Sequence, residues 1–89
     1  MIKIISAKPT NDFVVHLVFS DGGEGDYDLS PLIAKKSSLT KMLEDQIFFK
    51  RLFIELGALC WPNGFELSAE AIHQELSANK KLRYTTKAA

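Results

Sequence analysis

Alternating apolar and polar side chains mark two neighbouring strands near the start of the chain. In residues 13–20, FVVHLVFS, every second side chain falls on one apolar face: Phe13, Val15, Leu17 and Phe19. In residues 24–29, EGDYDL, three acids alternate with Gly25, Tyr27 and Leu29. Asp21-Gly22-Gly23 tolerates positive φ and predicts a tight hairpin between them. Together with an Ile-rich strand over residues 2–7, the pattern predicts a three-stranded antiparallel meander.

Helical spacing replaces the alternation after residue 30. Ser30-Pro31 is typical of a helix start, with a capping hydroxyl before a proline at the first helical position, so we expect a short helix over residues 31–34. Further apolar positions recur every three or four residues and predict two more helical pieces, with Asp45 as a cap where they meet. These positions are Leu39, Met42, Leu43, Ile47 and Phe48.

The second half of the chain predicts a small hairpin and a final helix. Residues 52–61 form the hairpin around Gly57, which Pro62-Asn63-Gly64 ends, and residues 65–67 return briefly as strand. Ser68 precedes a helix that carries Ile72 and Leu76 one turn apart. Residues 79–89 have no periodicity. The expected fold is therefore α+β, with one domain over residues 1–78 and a loose basic tail over residues 79–89.

Composition limits the classes of function. The chain has 89 residues, 46% of them hydrophobic, and a formal net charge of zero, which fits one compact domain and argues against a dedicated nucleic-acid binder. Cys60 is the single cysteine, so no intramolecular disulfide forms and a reducing compartment is expected. Because no run of eighteen apolar residues occurs, we expect a cytoplasmic protein without a membrane partner.

Two stretches carry charge of one sign. The acidic strand, with Asp21, Glu24, Asp26 and Asp28, is a hypothetical site for a cation or a basic partner, although a solvated strand face is the more ordinary interpretation. The basic tail carries Lys80, Lys81, Arg83 and Lys87 beside Tyr84. One alternative is therefore an accessory nucleic-acid role through the tail, weak and dependent on salt; an uncommitted solubilising tail is the simpler reading.

Catalytic and metal patterns are sparse. Glu70 and His73 form only half of a Glu-x-x-His metal motif, and Cys60 lies at ligand spacing from neither histidine. No nucleophile elbow, phosphate-binding loop or dinucleotide fingerprint occurs, so neither a cofactor nor a metal is expected. An enzyme or small-ligand protein remains an alternative if Glu66, His73 and Asp21 converge on one pocket.

The sequence CWPNGFELSAE, residues 60–70, suggests a recognition corner. A tryptophan before a rigid turn either closes one end of the core or presents an aromatic contact to a partner. Aromatic residues are more often packed than presented. The interaction hypothesis nevertheless assigns the partner surface to Trp61, Asn63 and Glu66.

Two motifs in order, Asp28-Leu29-Ser30-Pro31-Leu32 and Trp61-Pro62-Asn63-Gly64, resemble the domain of unknown function 2442 family. The resemblance spans roughly residues 2–76 and implies a small bacterial α+β domain without an established activity. It also implies that some relatives continue into a helix-turn-helix, while others are encoded beside a second small protein in a toxin–antitoxin-like arrangement. The sequence therefore predicts a non-enzymatic interaction module, antitoxin-like or regulatory, whose partner is another small protein encoded nearby. A homodimer through a strand edge or the tail is a further option.

Overall fold

The computed structural model describes residues 1–84 of the chain. The elements follow one another as strands β1 (Ile4–Pro9), β2 (Val14–Phe19) and β3 (Gly23–Asp28), helices α1 (Ser30–Ile33) and α2 (Ser38–Lys41), a 3₁₀ turn (Met42–Glu44), helix α3 (Gln46–Phe49), strands β4 (Phe53–Glu55), β5 (Ala58–Cys60) and β6 (Glu66–Leu67), helix α4 (Ala69–Ala78) and strand β7 (Arg83–Tyr84). The predicted α+β class is confirmed, with two antiparallel sheets and several short helices.

The larger sheet has the strand order β1-β2-β3-β7. Its register places Ala7, Leu17 and Gly25 side by side on the inner face, as the alternation along β2 and β3 predicts. The opposite face carries Lys8, His16 and Asp26 in the next row. The smaller sheet has the order β4-β5-β6, and its inner face aligns Ile54, Leu59 and Leu67.

One core joins the two sheets, the short helices and α4. Its largest fully buried side chains include Trp61, Phe19, Phe49, Ile4, Leu17, Leu29, Leu43, Leu59 and Ile72. Phe13 packs edge-on against Phe49 with ring centroids 5.5 Å apart. The helices are therefore held by apolar burial, because segments of four residues are too short to be stable alone.

Side-chain caps mark the starts of α2, α3 and α4. Asp45 accepts a hydrogen bond from the Ile47 N–H at 3.0 Å, and Ser68 accepts one from the Ala71 N–H at 3.2 Å, as predicted. The cap of α1 differs from expectation. Ser30 is its first helical residue, and the Asp28 carboxylate accepts the Ser30 N–H at 2.9 Å, because Leu29 at the cap position has no polar side chain.

The prediction of a loose tail is wrong for residues 79–84. After α4 the chain turns at Lys80, whose φ is +58°, and the Lys81 N–H donates to the Leu76 carbonyl at 2.8 Å. Arg83 and Tyr84 then pair with Glu24 and Gly23 as the fourth strand of the larger sheet. A two-residue strand leaves no alternation to detect, so the sequence pattern missed it. None of the helices within residues 1–84 has the length and apolarity needed to cross a membrane.

Candidate functional site

Trp61 does not face outward, and this part of the predicted recognition corner is wrong. Its relative exposure is 1%, and its indole Nε1 donates to the Phe49 carbonyl at 2.9 Å inside the core. The ring packs between Phe49 and Phe65, with centroids 5.7 Å from each. The indole is buried because both its apolar rings and its N–H are satisfied there. The alternative interpretation, that Trp61 closes the core, is the correct one.

Asn63 lies within the turn and Glu66 follows it on β6, and the two side chains have different environments. The Asn63 Nδ2 donates to the Leu39 carbonyl at 2.9 Å, and its Oδ1 accepts the Phe65 N–H at 3.1 Å. The Asn63 Nδ2 therefore ties the turn to α2, and its Oδ1 stabilises the turn itself. Glu66 is exposed on β6, and its Oε2 lies 3.9 Å from the Cys60 Sγ. Of the three predicted contact residues, Trp61 is buried, Asn63 is partly buried and Glu66 is exposed.

The outer face of the smaller sheet forms a shallow groove beside this turn. The register places Phe53, Cys60 and Glu66 in one row across the three strands, with Glu55 beside Ala58 in the next. We call this the outer-sheet groove; it measures about 310 Å³ and is lined by Phe53, Glu55, Cys60, Pro62, Phe65 and Glu66, among others. Phe53 is 41% exposed there. The groove thus combines a solvated aromatic side chain with two carboxylates.

Cys60 is a packed thiol rather than an activated one. Burial raises the pKa of the Cys60 thiol, and the neighbouring Glu66 charge raises it further. A nucleophilic cysteine requires the opposite environment, with cations or a helix N-terminus that favour the thiolate. Cys60 is therefore a small, packed side chain of the fold.

Each carboxylate of the acidic strand has a partner within the fold. His16 lies between two of them, with Nδ1 2.7 Å from Asp26 Oδ1 and Nε2 3.1 Å from Glu24 Oε1. Hydrogen bonds from the Ser30 backbone and side chain lower the pKa of Asp28, with a smaller contribution from the Lys81 charge. The sequence missed the His16 contacts because they depend on the cross-strand register of β2 and β3.

Asp21 and His73 do meet, as the enzyme alternative requires, but Glu66 is not with them. Asp21 Oδ2 lies 2.8 Å from His73 Nε2 and accepts the Tyr84 hydroxyl at 2.8 Å, while its Oδ1 accepts the Gly23 N–H at 2.9 Å. Burial opposes ionisation of Asp21, yet these hydrogen bonds outweigh it and lower its pKa. The cluster ties α4 and β7 to the turn between β2 and β3. Within residues 1–84, no group of three or more His, Cys, Asp or Glu side chains is arranged so that it could hold a metal ion.

The basic residues after α4 lie against the acidic strand. Arg83 is the register partner of Glu24. A groove of about 670 Å³ is lined by Asp26, Asp28, Lys80, Lys81 and Arg83, and also by Thr10 and Asn11. Lys87 lies outside the described residues. Because carboxylates and cations line the same groove, the two patches of opposite sign partly neutralise each other.

The hairpin around Gly57 is present as predicted, but the exposed leucine at its tip was not predicted. Leu56 and Gly57 join β4 to β5, and both have positive φ, +52° and +81°. Such two-residue turns favour Asn-Gly or Asp-Gly, since a side chain in the left-handed region costs about 1 to 2 kcal/mol. Leu56 is nevertheless 94% exposed. The sequence does contain a signal for this feature, because Leu56 precedes Gly57 at a turn position that usually holds Asn or Asp.

Comparisons with known proteins identify the family without a described activity. No curated protein and no solved structure matches the chain. A family model described as "Protein of unknown function (DUF2442)" matches residues 4–76, a span that begins with β1 and ends within α4. The resemblance carried by the two sequence motifs is thus confirmed, and the chain belongs to the DUF2442 family.

Proposed function

We propose that this domain is a non-enzymatic protein–protein recognition module and that its contact surface is the outer-sheet groove. The observation that carries the proposal is Phe53, which is 41% exposed in the same row as the solvated carboxylate of Glu66. Aromatic anchors surrounded by polar groups are typical of interface centres. Because Phe53 is already more than half covered, burial of its remaining exposed surface by a partner contributes about 1 kcal/mol, less than the burial of a whole side chain.

The distribution of reactive groups supports binding over catalysis. The imidazole of His16 contacts two carboxylates, and that of His73 contacts Asp21 and Tyr84. Burial keeps the pKa of Cys60 high. A catalytic constellation needs a nucleophile or base aimed at a shared reacting position. These groups instead belong to separate clusters that join elements of the fold.

The proposed partner is another small protein, encoded nearby in the antitoxin-like arrangement that the family resemblance implies, and the proposed location is the cytoplasm. The charge of the groove favours a partner with cationic side chains, because Glu55 and Glu66 border the aromatic contact. The accessory nucleic-acid role receives less support, since Asp26 and Asp28 share the groove of the basic residues.

Photo-cross-linking in the native host tests the proposal. A benzophenone side chain at position 53 is compared with one at position 47, where Ile47 is 78% exposed on α3. We expect a discrete protein adduct from position 53 alone. With that protein purified, Glu66→Lys should weaken its affinity by about tenfold or more, while Glu44→Lys leaves it unchanged. Equal adducts from both positions, or an affinity insensitive to Glu66→Lys, would contradict the proposal.

A further inference from the structure

Both the backbone conformation and the side-chain exposure of Leu56 are energetically unfavourable in the domain alone. Its φ of +52° places it in the left-handed region, and its side chain is almost fully exposed to water. The other non-glycine residues with positive φ within residues 1–84 are polar: Asp12, Lys36 and Lys80. Lys36 and Lys80 follow helix ends, where this conformation is usual. At Leu56 neither helix termination nor apolar burial accounts for the side chain.

The surroundings of Leu56 form a second groove on the other side of Glu66. This tip groove measures about 370 Å³ and lies between the hairpin tip and the start of α4. Its apolar lining includes Met1, Ile2 and Leu56, and its carboxylates are Glu66 and Glu70. Met1 is 96% exposed, so two large apolar side chains border the groove in water. Lys3 is a neighbouring cation, and its stem passes so close to Gly57 that a Cβ there would lie 2.7 Å from Lys3 Cγ.

We infer that the Leu56-Gly57 tip is a docking element for a protein segment in which a lysine or arginine stands close to a large apolar side chain. This inference rests on the proposed function and names the chemistry of the partner. The apolar side chain would cover Leu56 and Met1, and the cation would face Glu66 and Glu70. Nucleic acids and anionic lipid surfaces fit poorly, because the two carboxylates repel phosphate. Glu66 borders both grooves, so one partner can contact Phe53 and Leu56 together.

Substitution of Leu56 should change stability and binding in opposite directions. Leu56→Asn replaces an exposed side chain by one suited to the left-handed region, so the melting temperature should rise by about 4 °C. If the tip is a docking element, the same substitution should weaken binding. Ile47→Asn is the matched control, because it also replaces an exposed aliphatic side chain, on α3.

The experiment is a selection from a displayed library of random 12-residue peptides on the full 89-residue chain. We expect enriched peptides to carry Lys or Arg within four positions of a large apolar residue and to bind Leu56→Asn about tenfold more weakly than the wild type, while Ile47→Asn binds normally. Peptides without cations, or equal binding by Leu56→Asn, would overturn the inference. Sedimentation of both chains completes the test: loss of a dimer in Leu56→Asn, with no peptide selected, would assign the tip to self-association and also overturn it.

Failure of the inference and failure of the proposed function give different results. If the cross-linked partner depends on Glu66 and Phe53 but binds Leu56→Asn at full affinity, the outer-sheet groove stands and the tip does not contribute. If position 53 gives no specific adduct, the proposed function itself fails.

Discussion

The Trp61 indole donates a hydrogen bond to the Phe49 carbonyl, 2.9 Å away in the buried core. This contact joins the residue that follows β5 to the last residue of α3, twelve positions earlier in the chain. Trp61, which the sequence suggested as a partner contact, therefore stabilises the core instead. The turn that follows is fixed to α2 by a second side-chain hydrogen bond, from Asn63 to the Leu39 carbonyl.

Trp61→Phe should destabilise the domain by about 2 to 4 kcal/mol, because it leaves the Phe49 carbonyl without its donor and opens a cavity beside Phe65. Chemical denaturation followed by circular dichroism measures the loss. Glu44→Gln, an exposed change on the 3₁₀ turn, should stay within about 0.5 kcal/mol. Because Trp61 is buried, the wild-type fluorescence emission should be blue-shifted and protected from quenching by iodide. The emission reports on this residue alone, since Trp61 is the single tryptophan. A solvated emission spectrum would contradict this placement.

Gly25→Ala should be destabilising through the segment after α4. A Cβ at position 25 would lie 2.6 Å from the Lys81 carbonyl oxygen, a backbone atom that can move only if the segment moves. We expect a loss of about 1 to 3 kcal/mol and faster amide exchange at Arg83 and Tyr84, measured by hydrogen exchange.

A chain ending at Asn79 supplies the control for Gly25→Ala. Without Lys81 the clash disappears, so the substitution should become much less destabilising in the shorter chain. An equal loss in both chains would show that the Lys81 contact is not its cause.

Acid should weaken the junction between β3 and α1. The hydrogen bonds from Ser30 depress the pKa of Asp28 below its ordinary value of 3.8, so this carboxylate stabilises the fold above that value. Its contribution is lost as the pH falls through the lowered pKa of the folded state. Asp28→Asn should therefore reduce stability at neutral pH and flatten the acid limb of the stability profile. Urea denaturation between pH 2 and 7 checks the slope, and an unchanged acid limb would contradict this assignment.

Cys60 should react slowly in the native protein. Its raised pKa keeps the thiol protonated at neutral pH, and its burial restricts access. Alkylation by iodoacetamide at pH 7.5 should be at least about tenfold slower than in the urea-unfolded chain. Mass spectrometry of timed samples gives both rates. Comparable rates would contradict the burial of the thiol, and a native rate above that of the unfolded chain would indicate an activated thiol.

The sequence determined the elements whose periodicity is long enough to be read locally. Alternation from Phe13 to Leu29 gave the hairpin and its buried face, and the capping positions Asp45 and Ser68 gave two helix starts. These features depend on neighbouring residues, because side-chain direction in a strand and orphan N–H groups at a helix start are properties of a few consecutive positions.

Tertiary structure decided the direction of Trp61, the return of residues 83–84 to the sheet and the grouping of Asp21 with His73. The direction of Trp61 depends on the position of the Phe49 carbonyl, and the return of residues 83–84 depends on a free edge of β3. The contact between Asp21 and His73 depends on the packing of α4 beside a turn 52 residues earlier. Such contacts are set by the free energy of the assembled core, which depends on distant partners that no local pattern contains.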